Sequence, residues 1–198
     1  MIESKSKVLT KLHKQFYSSV AFGIRVVSPK KALIQKLTSA LNLIRETDYN
    51  LFKKVLEIKC ILIYPGNDYY GVIYEQRRIF VDQPKDVQDS SVPWLASSLV
   101  HEAWHIDQYK RGIVEYGMRT ERGAYLVQRR FLSKVGKKFE LRWLDRQYKE
   151  QWWKPEKQSK ETGDGYDLDS VTDYRKLFST FIKLYKQGKL KIKEVSLN

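Results

Sequence analysis

Cysteine, histidine and proline are scarce in this sequence: its 198 residues include one cysteine, Cys60, three histidines and five prolines. A single cysteine excludes an internal disulfide framework and fits a reducing compartment. Long apolar runs are missing too. The stretch Cys60 to Tyr64 falls far short of the roughly 20 residues that a membrane-spanning helix needs. Met1 to Lys7 leads into no uninterrupted apolar segment, so a secretory signal is not expected. No internal repeat, low-complexity tract or Pro/Gly/Ser linker breaks the chain. Together these absences predict one folding unit in the cytoplasm.

Acidic residues are also in deficit. Lys and Arg number 37 against 23 Asp and Glu, for a formal charge of +14, while 42% of residues are hydrophobic and 13% aromatic. Such a chain can bury a core, so wholesale disorder is excluded. The charge alone suggests an anionic partner such as nucleic acid or a membrane surface, but its distribution is uneven. Residues 1–60 carry +8, 61–110 carry −3, 111–162 carry +7 and 163–198 carry +2. The one acidic stretch lies inside a basic protein.

The apolar pattern predicts an α+β order of helices, strands and helices. Ser28-Pro29 reads as a helix start, followed by Leu33, Ile34, Leu37, Leu41 and Ile44 at helical spacing; a short helix over 50–57 follows. Ile58 to Tyr64 is apolar, β-branched and ended by Pro65-Gly66, so it reads as a strand. Residues 71–74 and 78–82 read as a hairpin. Ser90 or Ser91 with Pro93 opens a helix that Gly112 closes, with Leu95, Leu99, Ala103 and Ile106 as its buried stripe. Further helices are predicted over 114–135, stopped by Gly136, and 139–153. A last one begins at a Ser170/Asp173 capping box and stops near Gly188. One domain over 1–198 is expected, with an N-terminal helical segment over residues 1–57, a core over 58–136 and a helical extension over 137–198.

Two of the three histidines stand four residues apart in His101-Glu102-Ala103-Trp104-His105, an HExxH motif within a predicted helix. That spacing puts both imidazoles on one face, where they can fill two corners of a zinc tetrahedron. Glu102 lies about 100° around the helix, placed to take a proton from water as general base. The bland alternative is a surface helix with two incidental histidines, against which the core-type neighbours argue. A catalytic zinc takes a third protein ligand and keeps an open position. The remaining histidine, His13, lies far upstream, which leaves a carboxylate. Glu121 sits mid-way in the next predicted helix, which must fold back across the Gly112 turn; Ala124, one turn on, permits close contact. Glu115 is the rival, although an acid at a helix start is expected for dipole reasons. Glu121 could otherwise be an exposed residue paired with Arg122 or Arg129.

In HExxH at 101–105 and ExxA at Glu121-Arg122-Gly123-Ala124, the chain resembles the gluzincin-type zinc metallopeptidases, and in its economy it is similar to the minigluzincins. The resemblance spans roughly 55–136. It implies a zincin-like domain: a small mixed or antiparallel sheet, an active-site helix and a glutamate helix, with extra N- and C-terminal helices. It implies one catalytic Zn(2+) held by His101, His105 and Glu121, with Glu102 as base, acting on peptide or protein substrates. It also implies an edge strand that takes substrate in extended form, for which Arg78, Ile79, Phe80 and Val81 are in the right chain position. Tyr109, Tyr116, Tyr125 and Tyr166 are all open as oxyanion stabilisers. Residues 139–187 either cover the cleft as a latency device or complete the core. The competing expectation is a basic nucleic-acid-binding or accessory protein whose zincin-like metal site is inactive or structural.

Overall fold

The computed structural model describes residues 15–63, 71–73, 79–82, 84–113, 118–150, 183, 187–188 and 191–196. The chain begins there with a hairpin of β1 (Gln15–Ala21) and β2 (Ile24–Ser28), paired antiparallel. Its two-residue turn holds Phe22 at φ +53° and Gly23 at φ +81°. Positive φ at both central positions matches the right-handed twist of the flanking strands. Phe22 adopts it at a steric cost that glycine escapes. Its ring meets Phe52 edge-on at 5.2 Å and lies 4.8 Å from the Arg45 guanidinium, contacts that help to hold the turn.

This hairpin corrects the expectation of a helical N-terminal segment. The buried positions of β1 include Ser18 and Ser19, so a hydropathy pattern is nearly silent there. Ser28 is likewise the last residue of β2 and does not cap the following helix, α1 (Lys31–Thr47), whose N-cap is Lys30 with no side-chain cap. Ser28 Oγ accepts from the Lys30 N–H at 3.2 Å, tying the strand to the helix across Pro29.

The expected apolar stripe of α1 is buried throughout, Ile34, Leu37, Leu41 and Ile44 completely so. A seven-residue helix, α2 (Tyr49–Val55), follows on an Asp48 N-cap whose side chain accepts from the Leu51 N–H. The chain then enters β3 (Cys60–Ile63), and the predicted hairpin forms from β4 (Gly71–Ile73) and β5 (Ile79–Asp82). A short helix, α3 (Pro84–Asp89), leads into three long ones: α4 (Val92–Lys110), α5 (Met118–Val135) and α6 (Lys138–Glu150). Ser91 caps α4 through the Trp94 N–H, and Gly112 and Gly136 take positive φ just beyond α4 and α5. These are the stops their sequence positions announce.

A second correction lies at the C-terminus, where β6 (Lys191–Glu194) pairs parallel with β1 inside what was expected to be a helical extension. The six strands form one mixed sheet in the order β4-β5-β3-β2-β1-β6; β2, β3 and β5 run parallel, and β4 is antiparallel to β5. The architecture is therefore α+β. Helix α1 packs on β1 and β2 and against α4; α4 packs on α5, and α5 on α6. Ile61, Ile63 and Phe80 from the sheet meet the α1 stripe and Leu95, Leu99, Ala103 and Ile106 of α4 in one core. Apolar contact on that side and polar contact with α5 on the other make α4 the helix that carries the site. His13, Trp152-Trp153, the Ser170/Asp173 capping box and most of 139–187 beyond residue 150 lie outside the described residues.

Candidate metal centre

Helix α4 buries residues all round its middle: Ser97, Ser98, Glu102, His105 and Gln108 are buried together with the apolar stripe. Polar groups in that position require partners, and α5 supplies them. The helices approach closely because α5 offers Gly123 and Ala124 at the crossing. Ala124 has no exposed surface. A Cβ on Gly123 would stand 2.7 Å from Trp104 Nε1 and 3.2 Å from Gln108 Nε2. Glycine is thus required there by the space that Trp104 and Gln108 occupy, a role that the ExxA pattern does not express.

At this crossing the structure brings together His101, His105 and Glu121. The two Nε2 atoms are 3.0 Å apart, and each lies 3.4 Å from a different oxygen of Glu121. Ligand atoms of a tetrahedral zinc with bonds of about 2.0–2.1 Å are separated by about 3.3–3.4 Å. Glu121 is only 3% exposed, and its Oε2 is a buried carboxylate oxygen without a hydrogen-bond partner. The exposed pairing with Arg129 is not formed: Arg129 bonds Asp145 on α6 instead. Glu115 lies outside the described residues.

Burial works to raise the Glu121 carboxyl, but the two imidazoles outweigh it and hold it down at about 2. Burial likewise works to lower the His105 imidazole; Glu121 against it, with the nearby charge of Glu102 and the Gln108 contact, raises it on balance. Both shifts express one fact. The Glu121 carboxylate and the two imidazoles face one another around a shared point, and each stabilises the charged form of the other.

Glu102 is buried, one residue on from the first histidine, with its charge near enough to act on His105. The His101 side chain keeps 11% of its surface exposed, so the cluster is not sealed. Of the four tyrosines, Tyr125 sets its ring edge-on against His101 at 5.2 Å, and Tyr109 is 41% exposed at the end of α4. Tyr116 and Tyr166 lie outside the described residues.

Two residues of the site were not anticipated. Gln128 Oε1 is 2.9 Å from His101 Nδ1, and Gln108 Oε1 is 3.0 Å from His105 Nδ1. The signal was in the spacing. Gln108 follows His105 by three residues, and Gln128 follows Glu121 by seven, so each shares a helical face with a member of the cluster.

The edge-strand expectation needs correction. Ile79, Phe80 and Val81 belong to β5, which pairs with β3 on one side and with β4 on the other, so its hydrogen-bonding groups are already engaged; Arg78 lies outside the described residues. The hairpin partner folds onto the outer side of β5 and takes the edge itself. Among the described residues β4 has a neighbour on one side only, and it packs beside α4.

No protein-family model matches the chain, and searches of curated proteins and of solved structures find no match either.

Proposed function

We propose that this protein is a zincin-like, gluzincin-type metallopeptidase that hydrolyses peptide bonds. The observation that carries the reading is the convergence of two imidazole nitrogens and a partnerless buried carboxylate oxygen, with a second buried carboxylate, Glu102, alongside. His101, His105 and Glu121 would hold one divalent ion. Two nitrogens and one carboxylate favour zinc. Such an ion supplies Lewis acidity, polarising a carbonyl and acidifying water.

The chain's own residues do the rest. Glu102 takes a proton from the attacking water on its carboxylate and passes it to the leaving amine. Tyr125 steadies the His101 ring from its edge. Among the described residues the outer side of β4 has no paired strand, and a peptide in extended form would bind there, where main-chain hydrogen bonds give affinity without demanding a particular sequence.

The experiment is a pair of measurements on one substitution. Glu102→Gln keeps the shape of the side chain and removes the proton acceptor. The variant is expected to retain the wild-type metal content by elemental analysis. Its cleavage of an unstructured protein such as casein, sensitive to chelator in the wild type, is expected to drop by about 10²- to 10⁴-fold. Metal retained with cleavage undiminished would remove Glu102 from the mechanism. A site that binds metal in a wild-type protein with no chelator-sensitive cleavage would make the centre structural.

A further inference from the structure

The two glutamines beside the cluster do more than fill space, because on the Nδ1 side of both histidines the hydrogen-bond direction is set by groups outside the cluster. The Thr120 carbonyl can only accept a proton, and it lies 3.2 Å from the amide end of Gln108, so Gln108 Nε2 donates to it. The other end of Gln108, an acceptor, therefore faces His105 Nδ1, which must carry a proton. The same logic runs through Ser97. Its hydroxyl donates to the Trp94 carbonyl at 2.8 Å, spending its one proton. Ser97 Oγ then accepts from Gln128 Nε2 at 3.1 Å, which turns Gln128 Oε1 toward His101 Nδ1 and requires a proton there as well.

Resting on the metal-centre reading above, we propose that Gln108 and Gln128 are positioning residues that hold His101 and His105 as Nδ1–H tautomers. Two backbone carbonyls, of Thr120 and Trp94, set the direction of the two relays. Each relay leaves an Nε2 lone pair aimed at the point faced by Glu121, so the site is arranged for a divalent ion before one arrives. Both relays are neutral, which leaves Glu121 as the one carboxylate among the three ligands and their two glutamine supports. They also differ in tolerance. Gln108 must be an amide, because a carboxylate would set oxygen against the Thr120 carbonyl. Gln128 can become a carboxylate only at the cost of the Ser97–Trp94 bond that sets the native direction: the Ser97 hydroxyl then leaves the Trp94 carbonyl, which Ser98 Oγ also reaches at 3.1 Å, and donates to the carboxylate.

The test has two readouts on the full chain. In ¹⁵N-histidine-labelled, metal-stripped protein, long-range ¹H–¹⁵N spectra are expected to show protonated Nδ1 in both His101 and His105. Gln128→Met, which keeps bulk and removes the acceptor, is expected to reduce Nδ1 protonation at His101 alone, and Gln108→Met at His105 alone. Ser97→Ala, a minimal change in volume, is expected to release His101 in the same sense and covers the case in which a Met variant fails to fold. Zinc affinity, measured by competition with a chromophoric chelator, is expected to weaken by about 10- to 100-fold in each Met variant. It should hold or tighten in Gln128→Glu and weaken in Gln108→Glu, a split that packing alone does not produce. An unprotonated Nδ1 in the wild type, or Met variants that bind zinc like the wild type, overturns the relays. Wild-type protein with both Nδ1 atoms protonated but no zinc affinity would leave the relays standing and defeat the metal-centre reading instead.

Discussion

Gly123 illustrates how one missing side chain can set the spacing of a site. A glycine in a helix interior costs about 1 kcal/mol relative to alanine, and restoring the methyl group would ordinarily stabilise α5. Here the added Cβ would lie 2.7 Å from the indole nitrogen of Trp104. The indole cannot easily yield, with Lys54 at 4.8 Å and Arg111 at 5.5 Å against its ring. Overpacking of this kind costs roughly 1–3 kcal/mol, which exceeds the propensity gain over most of its range. Gly123→Ala is expected to lower stability by about 1 kcal/mol, the mid-range difference between the two, read as a fall in the urea midpoint. It should also weaken zinc binding, because Gln108 Nε2, 3.2 Å from the same point, is displaced with it. Unchanged stability would mean that α4 and α5 can separate without penalty. At this scale the sequence spoke clearly for His101, Glu102 and His105, whose spacing is a property of any helix. It was silent on Gly123, Gln108 and Gln128, whose roles depend on the neighbouring helix.

Among the elements, α2 and α5 are joined by a single residue with two tasks. Asp48 caps α2 through the Leu51 N–H, and its other carboxylate oxygen pairs with Lys134 near the end of α5. The Lys134 hydrogen bond is the main influence on its acidity and, with the cap, outweighs the opposing effect of burial, so Asp48 titrates below the usual carboxylate range. A carboxyl with a lowered folded-state pKa contributes stability that is present above its unfolded value, near 3.9, and is lost as pH falls through the folded value. Asp48→Ala is expected to cost about 1–2 kcal/mol at pH 7: about 1 for the cap, and less than 1 for the partly exposed pair. Asp48→Asn retains a capping oxygen and should lose only the acid-dependent contribution. Urea midpoints at pH 7 and pH 3 check both, and the gap between the wild type and Asp48→Asn should narrow at the lower pH. The elements themselves were legible where packing is apolar and periodic, as in α1 and α4. They were illegible in β1 and β6, the first because buried serines interrupt its apolar alternation and the second because Ile192 is its one apolar residue.

For the whole molecule, the proposed ion joins α4, rooted in the sheet-side core, to α5, which bonds outward to α6. Ion binding to the folded state alone is linked to global stability: a free concentration about 1,000-fold above the dissociation constant contributes about 4 kcal/mol. For a chain of this length that corresponds to a rise in melting temperature of about 8–16 °C. Calorimetry with and without chelator is expected to show that difference in the wild type and to lose it in Glu121→Gln. No shift in the wild type would mean that the two helices are held without metal. None of the described helices is long and apolar enough to cross a membrane. The formal charge of +14, the most conspicuous number in the composition, is carried outside the stretch 61–110, which supplies most of β3, β4, β5 and the HExxH helix and is itself acidic. By itself the sequence determined what is local: helices and turns whose caps and glycines lie within a few residues of the ends they mark, and two histidines one helical turn apart. The tertiary structure decided what depends on contact between distant segments. It brought Glu121 inward to meet those histidines and closed both sides of β5. Through Thr120 and through Gln128 on α5, it also supplied the hydrogen-bond directions that orient each imidazole. Periodicity along a chain reports which face of an element is apolar; which polar groups meet across two such faces is settled only when the faces pack.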